Sequence, residues 1–168
     1  MVGTKPTTDS KAATEIVVGA NPITIRRRVK WGECDPAGVV YMVNYSEYVV
    51  SAYEIFMAGL LGEGFVKAKA RHRIALPAKA FAIEFYASLR PDDDFLMTVE
   101  IVGIRTKTFD ISVRGRSIAR HDLFLAKLTP IAVDPAKRTA ALLPQAMVRK
   151  LSRYRESCAS NEARTGPA

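Results

Sequence analysis

The hydrophobic period of this chain changes from helical to alternating at about Leu76, and that change limits the folds open to it. Tyr45, Tyr48, Val49, Ala52, Tyr53, Phe56, Met57 and Leu60 recur at helical spacing, which gives one continuous apolar stripe. From Leu76 onward the apolar residues fall at alternate positions: Phe81, Ile83 and Phe85, then Phe95 to Ile101, then Phe109, Ile111 and Val113, then Leu123 and Leu125 leading into residues 129–133. Arg90-Pro-Asp-Asp-Asp94, Arg105-Thr-Lys107, Arg120-His-Asp122 and Asp134-Pro-Ala-Lys137 punctuate these runs as short turns, so successive strands are antiparallel neighbours. A sheet of about five strands must bury one face, and the long helix carries the only matching stripe. The expected class is α+β, a curled antiparallel sheet wrapped around one long central helix.

A first strand is expected over Ile23 to Trp31, with Ile23, Ile25, Arg27, Val29 and Trp31 on one side and Arg27 interrupting an otherwise apolar row. Asn44 with Glu47 three residues later resembles a capping box for the long helix, and Gly59, Gly62 and Gly64 supply its stop. A short basic helix, roughly Pro144 to Ser157, closes the domain. At 168 residues and 48% hydrophobic composition the chain suits one domain. Its expected bounds are 22–157, with flexible segments at 1–21 and 158–168. No apolar run approaches the roughly 18 residues of a membrane span, and Cys34 and Cys158 lie in unrelated contexts without disulfide or metal-ligand spacing. A cytoplasmic protein without a membrane partner or a metal is therefore expected. The net charge of +8 is spread along the chain and does not by itself name an anionic partner.

Between the first strand and the helix stands Trp31-Gly-Glu-Cys-Asp-Pro-Ala-Gly-Val-Val-Tyr41. Asp35 sits in a tight turn before a helix start, where backbone N–H groups lack intrahelical acceptors and can bind an oxyanion. Taken alone, Asp35 is ordinary turn chemistry. Cys34 points away from it by strand alternation and has no histidine nearby in sequence, so it is a packed or spectator thiol. His72 and His121 lie in polar, basic loops and form no triad. The aromatic stripe of the helix is core, with Tyr41 and Tyr45 the members allowed into a pocket. Asn44 serves as cap, as orienter of the turn, or as positioner of water or Asp35.

That turn, the following helix and the strand series together resemble the 4-hydroxybenzoyl-CoA thioesterase family and its hot-dog fold, over about Ile23 to Pro144 and most specifically over Trp31 to Tyr45. The resemblance implies an acyl-CoA thioesterase that converts an aroyl-CoA or a short to medium acyl-CoA to the free acid and CoA. It implies Asp35 as nucleophile or general base, the backbone amide of Met42 or its neighbour Tyr41 as oxyanion donor, and Asn44, Gly38 and Tyr45 around them. Arg105, Lys107 and Thr108, with Lys137 or Arg138, match the positions that hold CoA phosphates. The helix position that carries a carboxylate for the phenol hydroxyl in the 4-hydroxybenzoyl enzyme is Val50 by ungapped counting, which favours an apolar acyl group, although Glu47 or Glu54 lies near enough in sequence to substitute. No cofactor is implied, since the CoA thioester is itself the substrate, and the partners expected are that small molecule and further copies of the chain, as dimer or tetramer, without nucleic acid. Two other readings stand beside this one. A thioester dehydratase would want a histidine on the helix or its turn, and none lies between Trp31 and Arg71; a non-catalytic protein binding an acyl ligand or anion would make Asp35 dispensable.

Overall fold

The computed structural model describes residues 14–164. Its elements run β1 (Glu15–Ala20), β2 (Ile23–Arg28), a single 3-10 turn (Trp31–Glu33), α1 (Asn44–Leu61), α2 (Phe65–His72), β3 (Ala78–Phe85), β4 (Asp94–Ile104), β5 (Phe109–Ser117), β6 (Asp122–Pro130), β7 (Val133–Asp134), β8 (Thr139–Ala140) and α3 (Gln145–Arg164). Six strands form one antiparallel sheet in the order β1-β2-β4-β5-β6-β3, and β7 and β8 make a separate hairpin.

The inner face is built by register. Ile25 pairs with Met97, Met97 with Gly115, and Gly115 with Phe124; the next rows align Ile23, Val99, Val113 and Ala126. All of these but Gly115 belong to one buried core with Tyr48, Val49, Ala52, Phe56 and Met57 of α1. Ring contacts bind the layers, Tyr48 to Phe95 at 5.5 Å and Tyr45 to Phe124 at 5.4 Å between centroids. This is the helix-on-sheet arrangement expected of the hot-dog fold.

Several boundaries differ from the sequence expectation. Residues 15–20 form strand β1 on the edge of β2, so the loose segment expected through residue 21 is corrected; residues 1–13 lie outside the described part. The tail expected to loosen at 158 is also corrected, because α3 continues to Arg164. Met147, Leu151, Tyr154 and Cys158 make a buried stripe on it. The Tyr154 hydroxyl donates to the Val99 carbonyl at 2.6 Å and accepts the Ile23 N–H at 2.7 Å, which ties α3 across β2 and β4. Arg149, Arg153 and Arg155 do face solvent.

Strand β2 ends at Arg28, and Trp31, expected on the inner row, turns outward and is 83% exposed. On β6 the inward row is Phe124, Ala126 and Leu128, one residue out of phase with the expected Leu123 and Leu125. Pairing with Ile111, Val113 and Gly115 decides the phase, since a one-residue slip exchanges the faces of a strand. Phe81, Ile83 and Phe85 do share that inner side, opposite Leu128, Ala126 and Phe124, but on an edge strand that leaves Phe81 and Phe85 exposed. Among the described residues no single helix is long and apolar enough to cross a membrane.

Gly115 is required by close approach. A Cβ there would overlap the ring of Phe124, itself fully buried against Tyr45 and Phe95 and unable to swing away. Gly115→Ala should therefore cost about 1–3 kcal/mol of stability, measured as a shift of the urea unfolding midpoint, with β4–β5 pairing otherwise intact.

Candidate active site

The turn after β2 is held by its own polar atoms. Asp35 accepts the Gly38 N–H on its carbonyl at 2.9 Å and donates its N–H to Val39 at 2.9 Å, while Oδ1 accepts the Ala37 N–H at 2.9 Å. Gly38 has φ of 77°, a left-handed conformation that costs an L side chain free energy, which is why glycine closes this turn. The carboxylate is half-buried, and Oδ2 has no protein partner among the described residues. One oxygen shapes the turn and the other is unengaged among the described residues.

The chain then runs into α1, and its amides are unequally used. The Tyr41 N–H donates to the Glu33 carbonyl at 3.0 Å, whereas among the described residues the Met42 N–H donates to none. Of the two donors the sequence left open, Tyr41 is spent and Met42 is free at the N-terminal end of a helix, where partial positive charge favours an anion. Met42 and Tyr41 side chains are both largely exposed. The sequence expectation that Asn44 caps α1 through a capping box is corrected. Val43 already has helical backbone angles, no side-chain cap bond forms, and the Asn44 Nδ2 instead donates to the Glu33 carbonyl at 2.6 Å. That bond fits the orienting role among those the sequence left open to Asn44.

A cavity of about 330 Å³ opens beside Met42, lined by Val40, Met42, Tyr45, Phe85, Tyr86 and Ser88 among others, and neither Asp35 nor Gly38 is in its lining. Tyr45 is buried, and its hydroxyl accepts the Leu89 N–H at 3.3 Å, while Val40 donates to the Leu89 carbonyl at 2.8 Å. Segment 85–89 thus closes one wall, a contribution that β-strand alternation alone did not mark.

Cys34 stays a thiol: burial, then the charges of Glu33, Asp35 and Asp93, push its pKa up. Low thiolate content agrees with a spectator role.

Arg105 and Thr108 lie together at a second cavity of about 470 Å³ with Lys79, Asp110, Lys127 and Thr129. Arg105 is largely exposed and pairs with Asp110 at 2.6 Å through one nitrogen of its guanidinium, the others having no protein partner among the described residues. Lys107 is exposed beside it. Arg138 is in the β7–β8 hairpin with φ of 54° and does not line that cavity. Val50 and Glu54 are exposed on α1, and neither lines the cavity at Met42; Glu54 faces a shallow depression with Ile55, Ala58 and Phe65. Within one chain, then, the Met42 cavity and the basic cavity are lined by different residues.

The residues that sequence reasoning passed over lie behind the turn. Arg27, read as an interruption of an apolar row, is 8% exposed; it pairs with Glu15 on one side and Glu33 on the other and lies 4.2 Å above the Tyr48 ring. A cation at an inward strand position demands buried counter-charges, and that was the available signal.

With this geometry in hand, comparison with known proteins gives a consistent picture. The family model for the thioesterase-like superfamily matches residues 29–151. The acyl-CoA thioester hydrolase YbgC of Escherichia coli O157:H7 is 28% identical over 123 residues, which covers 72% of this chain and 89% of that one. The 1,4-dihydroxy-2-naphthoyl-CoA thioesterase Slr0204 from Synechocystis superposes with a TM-score of 0.70 at 22% identity, over 77% of this chain and 94% of the other. SAV2348 from Staphylococcus aureus, solved in complex with CoA, superposes with a TM-score of 0.74 at 13% identity, over 80% and 84%.

Proposed function

This chain belongs to the thioesterase-like superfamily, and from that membership we propose that it hydrolyses an acyl-CoA or aroyl-CoA thioester to the free acid and CoA. The observation that carries the reading is the succession, from the turn into the start of α1, of a carboxylate whose Oδ2 is unengaged and a Met42 N–H that donates to no group, both among the described residues. Asp35 either attacks the thioester carbonyl, expelling the CoA thiolate and forming a mixed anhydride that water then hydrolyses to the free acid and the regenerated carboxylate, or takes a proton from a water that attacks the carbonyl itself; in both routes the C–S bond breaks and the CoA thiolate is protonated. The Met42 N–H stabilises the oxyanion of the tetrahedral intermediate, a contribution of about 3 kcal/mol for a donor of this kind. Arg105, Lys107 and Thr108, joined by Arg138, bind the CoA phosphates, for which exposed arginine and lysine are suited.

The separation of the two cavities within one chain supports a site completed by a second copy. Strand β3 leaves one edge of the sheet unpaired and exposes Phe81 and Phe85, with Tyr86 just beyond, so a homodimer or tetramer formed along that edge would cover both the backbone donors and the rings. Release of free thiol from a panel of acyl-CoA and aroyl-CoA thioesters tests the activity; turnover is expected on apolar acyl groups, and no release from any thioester would refute it. Val50 is exposed on α1 and does not line the cavity at Met42, so it meets the acyl group only in a site that a second copy completes, and there it would set the acyl preference. Val50→Asp should raise the rate on 4-hydroxybenzoyl-CoA relative to benzoyl-CoA by about 10-fold or more, since an unpaired buried hydroxyl costs about 1–3 kcal/mol; an unchanged ratio would remove Val50 from the pocket.

A further inference from the structure

Glu33 takes no part in the chemistry above, yet it bonds more groups than any other side chain near the turn. Its Oε1 accepts from Arg27, and its Oε2 accepts the Tyr48 hydroxyl at 2.7 Å and the Lys30 N–H at 2.9 Å. Arg27 is braced from the far side by Glu15 of β1, whose other oxygen accepts the Ser51 hydroxyl of α1. The side chain of Glu33 is thereby locked to strand β2 and to the middle of α1 together. Its main chain carries the consequence forward, because the one carbonyl oxygen accepts both the Tyr41 N–H and the Asn44 Nδ2. Met42 lies between those two anchors with its own N–H free, and Asp35 lies two residues beyond the same anchored glutamate.

We propose that Glu33 is the positioning residue of this site, fixing the Asp35 carboxylate and the Met42 N–H relative to each other through the Arg27, Tyr48, Tyr41 and Asn44 bonds. The proposal rests on the hydrolase reading for its kinetic consequence and on the bonding alone for its mechanical one. A displacement of about 1 Å between reacting groups costs on the order of 100-fold in rate, so a loosened anchor should appear in kcat and leave substrate affinity nearly untouched.

The test uses the full chain with Glu33→Gln and the milder Tyr48→Phe, which removes one hydrogen bond to Glu33 and keeps the ring beneath Arg27. Thiol release from benzoyl-CoA gives kcat and KM, and amide hydrogen exchange is followed at Tyr41 and across β4 and β5. Expected for Glu33→Gln is a fall in kcat of about 10- to 100-fold with KM within about 2-fold, and faster exchange at Tyr41 with β4 and β5 unchanged; Tyr48→Phe should move both readouts the same way by less. An unchanged kcat overturns the proposal, as does a fall in kcat with Tyr41 still protected, which would give Glu33 a direct role. Faster exchange throughout β4 and β5 in both variants would make Glu33 a structural prop only. Should the wild-type chain release thiol from no thioester, the hydrolase reading fails by itself, and Tyr41 protection surviving Glu33→Gln would still refute the positioning role.

Discussion

Arg27→Ala should destabilise the protein by about 3–5 kcal/mol, among the largest losses any single side chain here can cause. The Arg27 side chain is 10% exposed, and the side chains of its partners Glu15 and Glu33 are 18% and 16% exposed. Burial pulls the Arg27 pKa down, but the hydrogen bonds and charges of Glu15 and Glu33 outweigh it and raise the value overall, so the cation persists at every relevant pH. Removing it leaves two anions facing each other with little water, together with an empty space over the Tyr48 ring. The effect is a penalty of lone charges more than a measure of what the trio contributes. Adding Glu15→Gln to Arg27→Ala should for that reason recover part of the loss, a non-additivity that urea unfolding of the single and double variants would reveal. Strict additivity would mean that the three groups do not act as one unit.

The fate of Arg27 also marks where sequence reasoning stops. The Asp35-Pro-Ala-Gly38 turn, the stripe of α1 and the alternation of β4 and β5 are local patterns, and each was legible because residues two to four apart decide it. Phase on β6 was not, since Leu123-Phe-Leu-Ala126 is apolar on both faces and only its partner β5 selects Phe124 for the inside. Strand β1 was hidden for the opposite reason: as an edge strand with Val17 and Val18 half-exposed, it lacks a buried row to announce it. Helix α2, short and basic, has only Ala68 buried, too little for an apolar stripe. The Glu15, Arg27 and Glu33 trio joins residues 12 and 6 positions apart through tertiary contact, beyond the reach of any spacing rule. At the site itself, Asp35 and the helix start could be placed from sequence, whereas the choice of Met42 over Tyr41 required knowing that Glu33 had already claimed the Tyr41 amide. Arg105 and Thr108 line one cavity, as expected of neighbours in one turn, whereas Arg138, in the β7–β8 hairpin, does not line it.

The second large effect belongs to Asp35. Asparagine has nearly the same shape, and its amide oxygen can accept the Ala37 N–H as Oδ1 does now, so the turn and the Gly38 conformation survive the exchange. What disappears is the negative charge, which the proposed mechanism uses as nucleophile or general base. Loss of a positioned acid-base group lowers turnover by about 100- to 10,000-fold, and loss of a nucleophile by at least as much. The Met42 N–H and the basic residues remain, so binding of the thioester should persist while its cleavage does not. The decisive measurement is therefore free-thiol release from benzoyl-CoA by wild type and Asp35→Asn side by side, with circular dichroism to verify equal folding. The account predicts steady turnover by the wild type and a rate at least about 100-fold lower in the variant; equal rates from the two proteins would contradict it.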